Sequence, residues 1–303
     1  MKRRDFIKQT SAGIAYAGLG GLTLSSCTSE TSKHITILHT NDTHSQVEPF
    51  EANHRRYANK GGVARRAVMV EQIRKENPNT LLLDAGDIFQ GTPYFNYFGG
   101  ELEFKLMSML KYDAATLGNH DFDNSIEGFH KQLPNANFDF VSANYDFKNT
   151  VLDTLVKPYK IFIKEGIKIG VFGLGIELKG LVNPSLYKET KYLDPIEIAQ
   201  DISRELKEDK NCDLIICLSH LGYNYRNSDK VSDLKLAQAS ENIDLIIGGH
   251  THTFLPKPTV IKNKKGENML VNQVGAYGVN LGRIDFFFDA EKNKTSREKI
   301  ILV

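Results

Sequence analysis

The chain has 303 residues, 41% of them hydrophobic and 25% charged, which is ordinary globular material and enough for one large domain. Its formal charge is only +1, and no run of Lys and Arg is interleaved with aromatic residues. That gives neither a basic field nor a stacking groove for a nucleic-acid polymer, so no such partner is expected.

The amino terminus reads separately from the rest. Lys2-Arg3-Arg4-Asp5-Phe6-Ile7-Lys8 is a basic start with twin Arg, followed by a mild apolar run over residues 12–24, and it resembles a twin-arginine export signal. The run is too short and too rich in Gly and Ala to span a bilayer, which needs about 20 strongly apolar residues. Leu24-Ser25-Ser26-Cys27 resembles a bacterial lipobox, in which Cys27 becomes the lipidated first residue of the mature chain. The expectation is an exported protein on the periplasmic or cell-envelope side, held to a membrane through an N-terminal lipid. Loss of residues 1–26 removes a net +3 and leaves the mature chain near −2. Residues 1–27 are therefore read as signal and lipidation site, residues 28–33 as a short tether and residues 34–303 as one folded domain.

Along that domain, apolar runs of strand length alternate with helical patterns. Strands are predicted over residues 35–38, 80–83, 114–117, 214–218 and 243–247, and helices over 63–76, 102–110, 125–133 and 195–207. This alternation predicts a sheet-centred α/β domain with helices outside, whose binding site lies at the carboxyl ends of the strands. Residues 46–61 read as a loop over the first ligand pair. The late runs 259–261, 269–274 and 284–288 lack intervening helices and are expected to be antiparallel strands. Cys212 and Cys217 flank and enter a buried strand about 16 Å apart, beyond disulfide reach, and are read as core thiols.

The polar residues of interest follow the strand ends in five clusters. Asp42-x-His44 supplies an oxygen and an imidazole, which an extended segment would place on one face. Asp87 closes a buried strand in Gly86-Asp87, where an unpaired carboxylate is costly unless it meets a cation. Gly118-Asn119-His120-Asp121-Phe122-Asp123 offers the neutral carbonyl oxygen of Asn119. Ser219-His220 and Gly249-His250-Thr251-His252 add three imidazoles, so that five of the nine histidines fall in these clusters.

Sorted into ion sites, Asp42, His44, Asp87 and His252 would hold one divalent cation and Asp87, Asn119, His220 and His250 a second. Mixed N and O ligation without thiolate suits Zn, Mn, Fe or Co. A neutral Asn in place of a third carboxylate leaves the pair a surplus positive charge of about +1, which attracts phosphate. Two ions a few Å apart are suited to bridging a hydroxide and clamping an in-line displacement at phosphorus. His120, with Asp123 three residues on, can be oriented by it and kept protonated to serve a leaving group.

Asp42-x-His44, Gly86-Asp87, Gly118-Asn119-His120, His220 and Gly249-His250-x-His252 together resemble the signature of the calcineurin-like metallophosphoesterases, over residues 35–288. The stretches Ile37-Leu38-His39-Thr40-Asn41-Asp42-Thr43-His44, Asp84-Ala85-Gly86-Asp87, Gly118-Asn119-His120-Asp121-Phe122-Asp123 and Gly275-Ala276-Tyr277-Gly278-x-x-Leu281-Gly282 are similar to the bacterial 5′-nucleotidase and UDP-sugar hydrolase branch. The resemblance implies a four-layer α/β/β/α sandwich with two central mixed sheets. It also implies metal-dependent hydrolysis of a nucleotide or related phosphoester, with His120 and Asp123 as a catalytic dyad and Asn119 and His120 touching substrate. A phosphodiesterase or nucleotide-sugar pyrophosphatase would use the same site. Members of that branch usually carry a C-terminal domain that clamps the nucleoside. This chain stops at Val303 after the polar stretch 289–299, so no such nucleotide-specificity domain is expected in it, and an alternative reading is a catalytic subunit whose separate partner chain supplies that domain.

Other stretches are read as structural. Gly170-Val171-Phe172-Gly173-Leu174-Gly175 has the wrong spacing for a dinucleotide loop and reads as a strand-end turn. Arg55-Arg56 and Arg65-Arg66 read as solvated surface charge, Tyr94, Phe95, Tyr97 and Phe98 as ordinary packing, and His34, His39, His54 and His130 as surface or local packing.

Overall fold

The structure, a computed structural model, describes residues 32–226 and 228–303. The export signal, Cys27 and residues 28–31 of the tether lie outside the described residues. Among the described residues, fourteen strands run in chain order as β1 Lys33–Thr40, β2 Thr80–Asp84, β3 Ala114–Ala115, β4 Asp139–Phe140, β5 Tyr145–Asp146, β6 Tyr159–Lys164 and β7 Ile167–Leu174, then β8 Lys191–Tyr192, β9 Leu214–Ser219, β10 Leu245–Gly248, β11 Thr259–Lys262, β12 Asn268–Asn272, β13 Asn280–Phe288 and β14 Lys294–Leu302. The helices are α1 Val63–Glu76, α2 Pro93–Phe98, α3 Glu101–Met109, α4 Ser125–Gln132, α5 Pro184–Tyr187, α6 Pro195–Arg204 and α7 Asp233–Ala239. Again among the described residues, no helix is long and apolar enough to cross a membrane.

Two six-stranded mixed sheets form the centre, in the orders β14-β13-β1-β2-β3-β4 and β11-β12-β10-β9-β7-β6. In the first, β1 to β4 are parallel and β13 and β14 close one edge antiparallel. In the second, β7, β9, β10 and β12 are parallel, with antiparallel β6 and β11 at the two edges. A two-stranded ribbon pairs β5 with β8.

Side-chain alternation then sorts the apolar residues into three cores. Ile35, Ile37, Leu81 and Leu83 of the first sheet meet Leu214, Ile216, Leu245 and Ile247 of the second. Leu38 and Leu82 point the other way, onto a cluster shared with Val70 and Ile73 of α1, Phe104 of α3 and Phe129 of α4. Phe172, Ile215 and Cys217 point outward from the second sheet onto Ala199 of α6 and Leu236 of α7. Three cores between successive layers define the α/β/β/α sandwich. Each fully buried Leu or Ile contributes about 1.5–3 kcal/mol to holding the sheets together. Strands buried on both faces read as unbroken apolar runs, which is why β2 and β9 are plain in the sequence.

Several expectations need correction. Residues 170–174 are the interior of β7, not a turn after it. A Cβ on Gly173 would drive into the carbonyl of Val141, so that glycine permits close approach of a neighbouring chain segment. The polar stretch before the C-terminus is largely β14, an edge strand whose alternation is hidden because most of its side chains face water. β12 is antiparallel only to β11 and runs parallel to β10. α6 ends at Arg204 and gives way to a π-helical turn over Glu205–Asp209. Arg66 is not solvated: it is 4% exposed, turned inward from α1 against Gly278. Of the aromatic group after Asp87, Phe95 packs on Phe89, whereas Tyr97 is 85% exposed and Phe98 half-exposed. Cys212 and Cys217 are buried free thiols, as expected.

Candidate metal centre

The parallel strands of both sheets end at one side of the sandwich, and the polar clusters follow those ends. The chain leaves β1 into Asn41-Asp42-Thr43-His44 and is bound at once to the turn after β2. Asp42 N donates to Gly86 O at 2.9 Å, His44 N to Asp87 O at 3.1 Å and Ser45 N to Ile88 O at 2.9 Å. From the second sheet, His220 N donates to Leu174 O at 2.7 Å and His250 N to Asp42 Oδ1 at 2.9 Å.

The backbone here is unusual in a uniform way. Asp42, His44, Asp87, His250 and His252 all have positive φ, between 47° and 68°. Non-glycine residues rarely adopt that conformation, and each costs of order 1 kcal/mol or more unless its surroundings enforce it. Asp42 and His44 therefore converge because each sits in a left-handed bend, not because an extended strand puts alternate residues on one face. Two glycines make the close packing possible. A Cβ on Gly86 would lie 2.6 Å from Gly118 N, and one on Gly118 would lie 2.5 Å from Asp87 N.

Two groups of side chains result, each able to hold a metal ion: Asp42, His44 and His252, and Asp87, His220 and His250. Asp87 Oδ2 lies 3.0 Å from His220 Nε2 and 3.9 Å from His44 Nε2, which places its carboxylate between the two groups. Asn119 Oδ1 joins the second group through His250 Nδ1 at 2.8 Å. All seven residues expected as ligands are thus brought together.

The donor set fits divalent cations by spacing and by tautomer. Nitrogens bound at about 2.0–2.1 Å lie about 2.9 Å apart at right angles and about 3.3 Å apart in a tetrahedron. His44 Nε2 and His252 Nε2 are 2.9 Å apart, and Asp42 Oδ1 and His252 Nε2 are 3.4 Å apart. The other ring nitrogens of His220 and His44 meet the carbonyls of Ala85 at 2.7 Å and Phe89 at 3.2 Å. Those carbonyls accept an N–H from Nδ1 and leave Nε2 with a lone pair aimed inward, the usual support of a metal-bound imidazole. His220 Nε2 is buried and faces Asp87 Oδ2 at 3.0 Å.

The electrostatics are those of a cation-seeking cluster. Burial works against charge on His220, but the adjacent Asp87 and Asp42 outweigh it and raise the ring to about 10. Burial also opposes charge on Asp87, yet the His220, His44 and His120 rings hold its carboxyl well below the usual range. Burial depresses His44, and it lowers His250 to about 4 with help from neighbouring His220.

At the mouth of the cluster, His120 Nδ1 and Asp123 Oδ2 are 2.8 Å apart. This bond is the main cause of an upward shift at His120, opposed by partial burial and assisted by the Asp87 charge. His120 N also donates to Asp87 Oδ1 at 2.8 Å, tying the pair to the metal centre.

Two residues stand in the sequence motifs without a role assigned to them there. Asp121 is fully buried and accepts four backbone N–H groups, from Asp87 at 3.0 Å, Ile88 at 2.9 Å, Phe89 at 3.1 Å and Gly118 at 2.8 Å. It pins the turn that carries Asp87 to the turn that carries Asn119. Asn41 Nδ2 donates to Asp42 Oδ2 and to Gly275 O, both at 2.6 Å, and Asn41 Oδ1 accepts from Val274 N at 3.0 Å. The available signal is position, since a polar residue beside a buried strand end must find partners.

Three parallel-strand turns of one sheet and two of the other, converging on paired cation sites beside a His–Asp couple, define a metal-dependent phosphoesterase architecture. The comparisons with known proteins agree: the calcineurin-like phosphoesterase family matches residues 35–254, and the chain belongs to that family of phosphoester hydrolases. It is 35% identical over 294 residues to the snake venom 5′-nucleotidase of Crotalus adamanteus, covering 89% of this chain and 48% of that protein. It is 33% identical to the 5′-nucleotidase of Vibrio parahaemolyticus, over 95% of this chain and 55% of that protein. The crystal structure of a 5′-nucleotidase precursor from Thermus thermophilus superposes with a TM-score of 0.81 at 35% identity, covering 89% of this chain and 55% of that one. The chain spans about half the length of these relatives.

Proposed function

We propose that this chain is an exported, lipid-anchored phosphohydrolase of 5′-nucleotidase type that uses two divalent cations, Zn, Mn, Fe or Co, to release phosphate from nucleotides. The observation that carries the reading is the meeting of Asp42, His44 and His252 with Asp87, His220 and His250 around one shared carboxylate, beside His120 and Asp123. When bound, the ions supply an acidified water and neutralise the phosphoryl oxygens.

The chain's own residues do the rest. Asn119 and His120 contact the phosphoryl group. Asp123 accepts from His120 Nδ1 and keeps the ring protonated, so that Nε2–H faces the leaving oxygen. As the oxygen of water bonds to phosphorus and its proton passes to solvent, the ester P–O bond breaks and the departing alkoxide takes the His120 proton. His120 is then reprotonated from solvent. A cyclic-nucleotide diester or nucleotide-sugar diphosphate would meet the same groups, and relative turnover across a panel distinguishes them.

The test is hydrolysis by the purified mature protein with Mn or Zn, read as phosphate released from AMP, ADP and an aryl phosphate and as nucleoside monophosphate formed from a cyclic nucleotide and a UDP-sugar. Metal-dependent turnover of the nucleotides is expected. Its absence with every substrate overturns the reading. For the anchor, Cys27→Ser should release the protein from the membrane fraction; unchanged fractionation contradicts lipidation. As a second reading, a companion nucleotidase-domain protein contributes to substrate recognition. That part fails if its addition leaves kcat/KM for AMP unchanged.

A further inference from the structure

Beside the metal centre lies an open groove of about 260 Å³ whose walls include Arg56, Tyr57, Lys60, His252 and Phe254. Its wall residue His252 is one of the candidate ligands, so whatever occupies the groove abuts a group held by the cations. The remaining walls are chemically one-sided. Beside an uncharged wall from Gly275 to Asn280 and Leu302 they bring two cations and two aromatic rings, and among the described residues no carboxylate lines the groove.

Arg56, Tyr57 and Lys60 lie in the loop over residues 46–61. The Arg56 guanidinium stands over the Tyr57 ring, 5.2 Å from its centroid. The Tyr57 ring packs at 5.9 Å on Tyr277, which lies 5.8 Å from the rings of both His44 and His252. Phe50 and His54 back Tyr57 at 5.3 and 5.6 Å, so the aromatic support is continuous from the metal ligands to Arg56. On the other side, Phe254 leaves 48% of its surface exposed. A volume of 260 Å³ is below the roughly 300–1,000 Å³ of sites that enclose a whole small ligand. It suits one arm of a substrate whose other end sits at the cations.

We propose that this groove is a leaving-group subsite, in which Arg56 and Lys60 bind a second anionic group of the substrate while Phe254 and Tyr57 cover its less polar part. The favoured substrate class is a phosphoester or phosphoanhydride whose leaving group carries a further phosphate, such as a nucleoside diphosphate. Hydrolysis then breaks the terminal P–O bond and forms inorganic phosphate with the oxygen of water. The departing nucleoside monophosphate carries the bridging oxygen and the His120 proton and rests in the groove. Arg is suited to this by its fork of N–H donors, and Lys60 adds a point charge. The inference rests on the phosphohydrolase reading of the adjoining centre, but the groove's affinity for anions does not.

The experiment therefore has two arms on the full mature protein. In the first, pyrophosphate is titrated into metal-stripped protein by calorimetry. The paired substitution Arg56→Ala with Lys60→Ala should weaken binding about tenfold, equivalent to about 1.4 kcal/mol, and the pair Arg56→Lys with Lys60→Arg should restore most of it. In the second, kcat/KM for ADP divided by that for phenyl phosphate is measured with Mn. The Ala pair should lower this ratio about tenfold, through KM. Equal pyrophosphate affinity in wild type and Ala pair, or an unchanged substrate ratio, overturns the subsite. If no substrate is turned over at all, the hydrolase reading fails, and the pyrophosphate arm still decides the groove.

Discussion

His44 Nε2 and His252 Nε2 stand 2.9 Å apart across 208 positions of sequence, one delivered by the first sheet and the other by the second. Two neutral imidazoles cannot both point lone pairs at each other at that distance without a proton or a cation between them. Both ring nitrogens also lie within 4 Å of Asp42 Oδ1. A bound cation resolves the contact. His252→Ala should accordingly lower metal content by one ion per chain and kcat/KM by at least about 100-fold, a loss at or beyond what outer partners of a metal site cost. Unchanged metal content would remove His252 from the ligand set.

The His120–Asp123 pair makes a prediction about pH. Its hydrogen bond raises His120 above the ordinary value of about 6.5. The protonated, donating form is present below the shifted value and is lost as pH rises through it, so this pair sets the alkaline limb of the rate profile. Asp123→Asn removes the acceptor charge and should bring that limb down toward about pH 6.5. His120→Ala should cost about 10²- to 10⁴-fold in kcat while metal content is retained. An alkaline limb in the same place with Asp123→Asn would exclude the pair from proton transfer.

Asp121 predicts a different kind of failure. Replacing it with Ala leaves four buried N–H groups without their acceptor. At about 1–3 kcal/mol for each buried group left unsatisfied, the loss is at least about 4 kcal/mol. That corresponds to roughly 10 °C in Tm for a domain of this size. Asp121→Asn keeps one acceptor oxygen and should lie between the two. Thermal unfolding of the metal-free protein reads this without interference from ion loss, and a Tm within about a degree of wild type for Asp121→Ala would contradict the pinning role.

Gly118 separates shape from charge. An Ala there would drive its methyl into the Asp87 carboxylate and backbone, neither of which is the free end of a flexible chain. Gly118→Ala should displace Asp87 and cost at least about 100-fold in activity, comparable with disturbing a ligand's support, in a protein that still gives native circular dichroism. Full activity would show that the turn can yield.

Much of this is legible in the sequence because buried parallel strands announce themselves as apolar runs and their ligands follow directly. Residues 80–84 and 214–219 are almost complete as predicted, and α1 has its predicted bounds. What the sequence hides has physical causes. β14 is a polar edge, and β7 contains glycines that suit close packing but look like a turn. Arg66 is buried by the tertiary fold, which no local pattern encodes. The convergence of Asp42 and His44 is anticipated by their spacing, but the positive φ values that produce it are not, since no glycine marks them. Asp121 is visible as a letter in a motif, while three of its four bonds reach a turn more than 30 residues away.

The most direct measurement is a titration of metal-stripped mature protein with Mn or Zn, following phosphate release from AMP and bound metal together. Two paired groups sharing Asp87 predict that activity is absent without metal and reaches its plateau only as the second equivalent binds. Full phosphate release by the stripped protein in the presence of chelator, or a plateau at one equivalent, would contradict the two-cation centre.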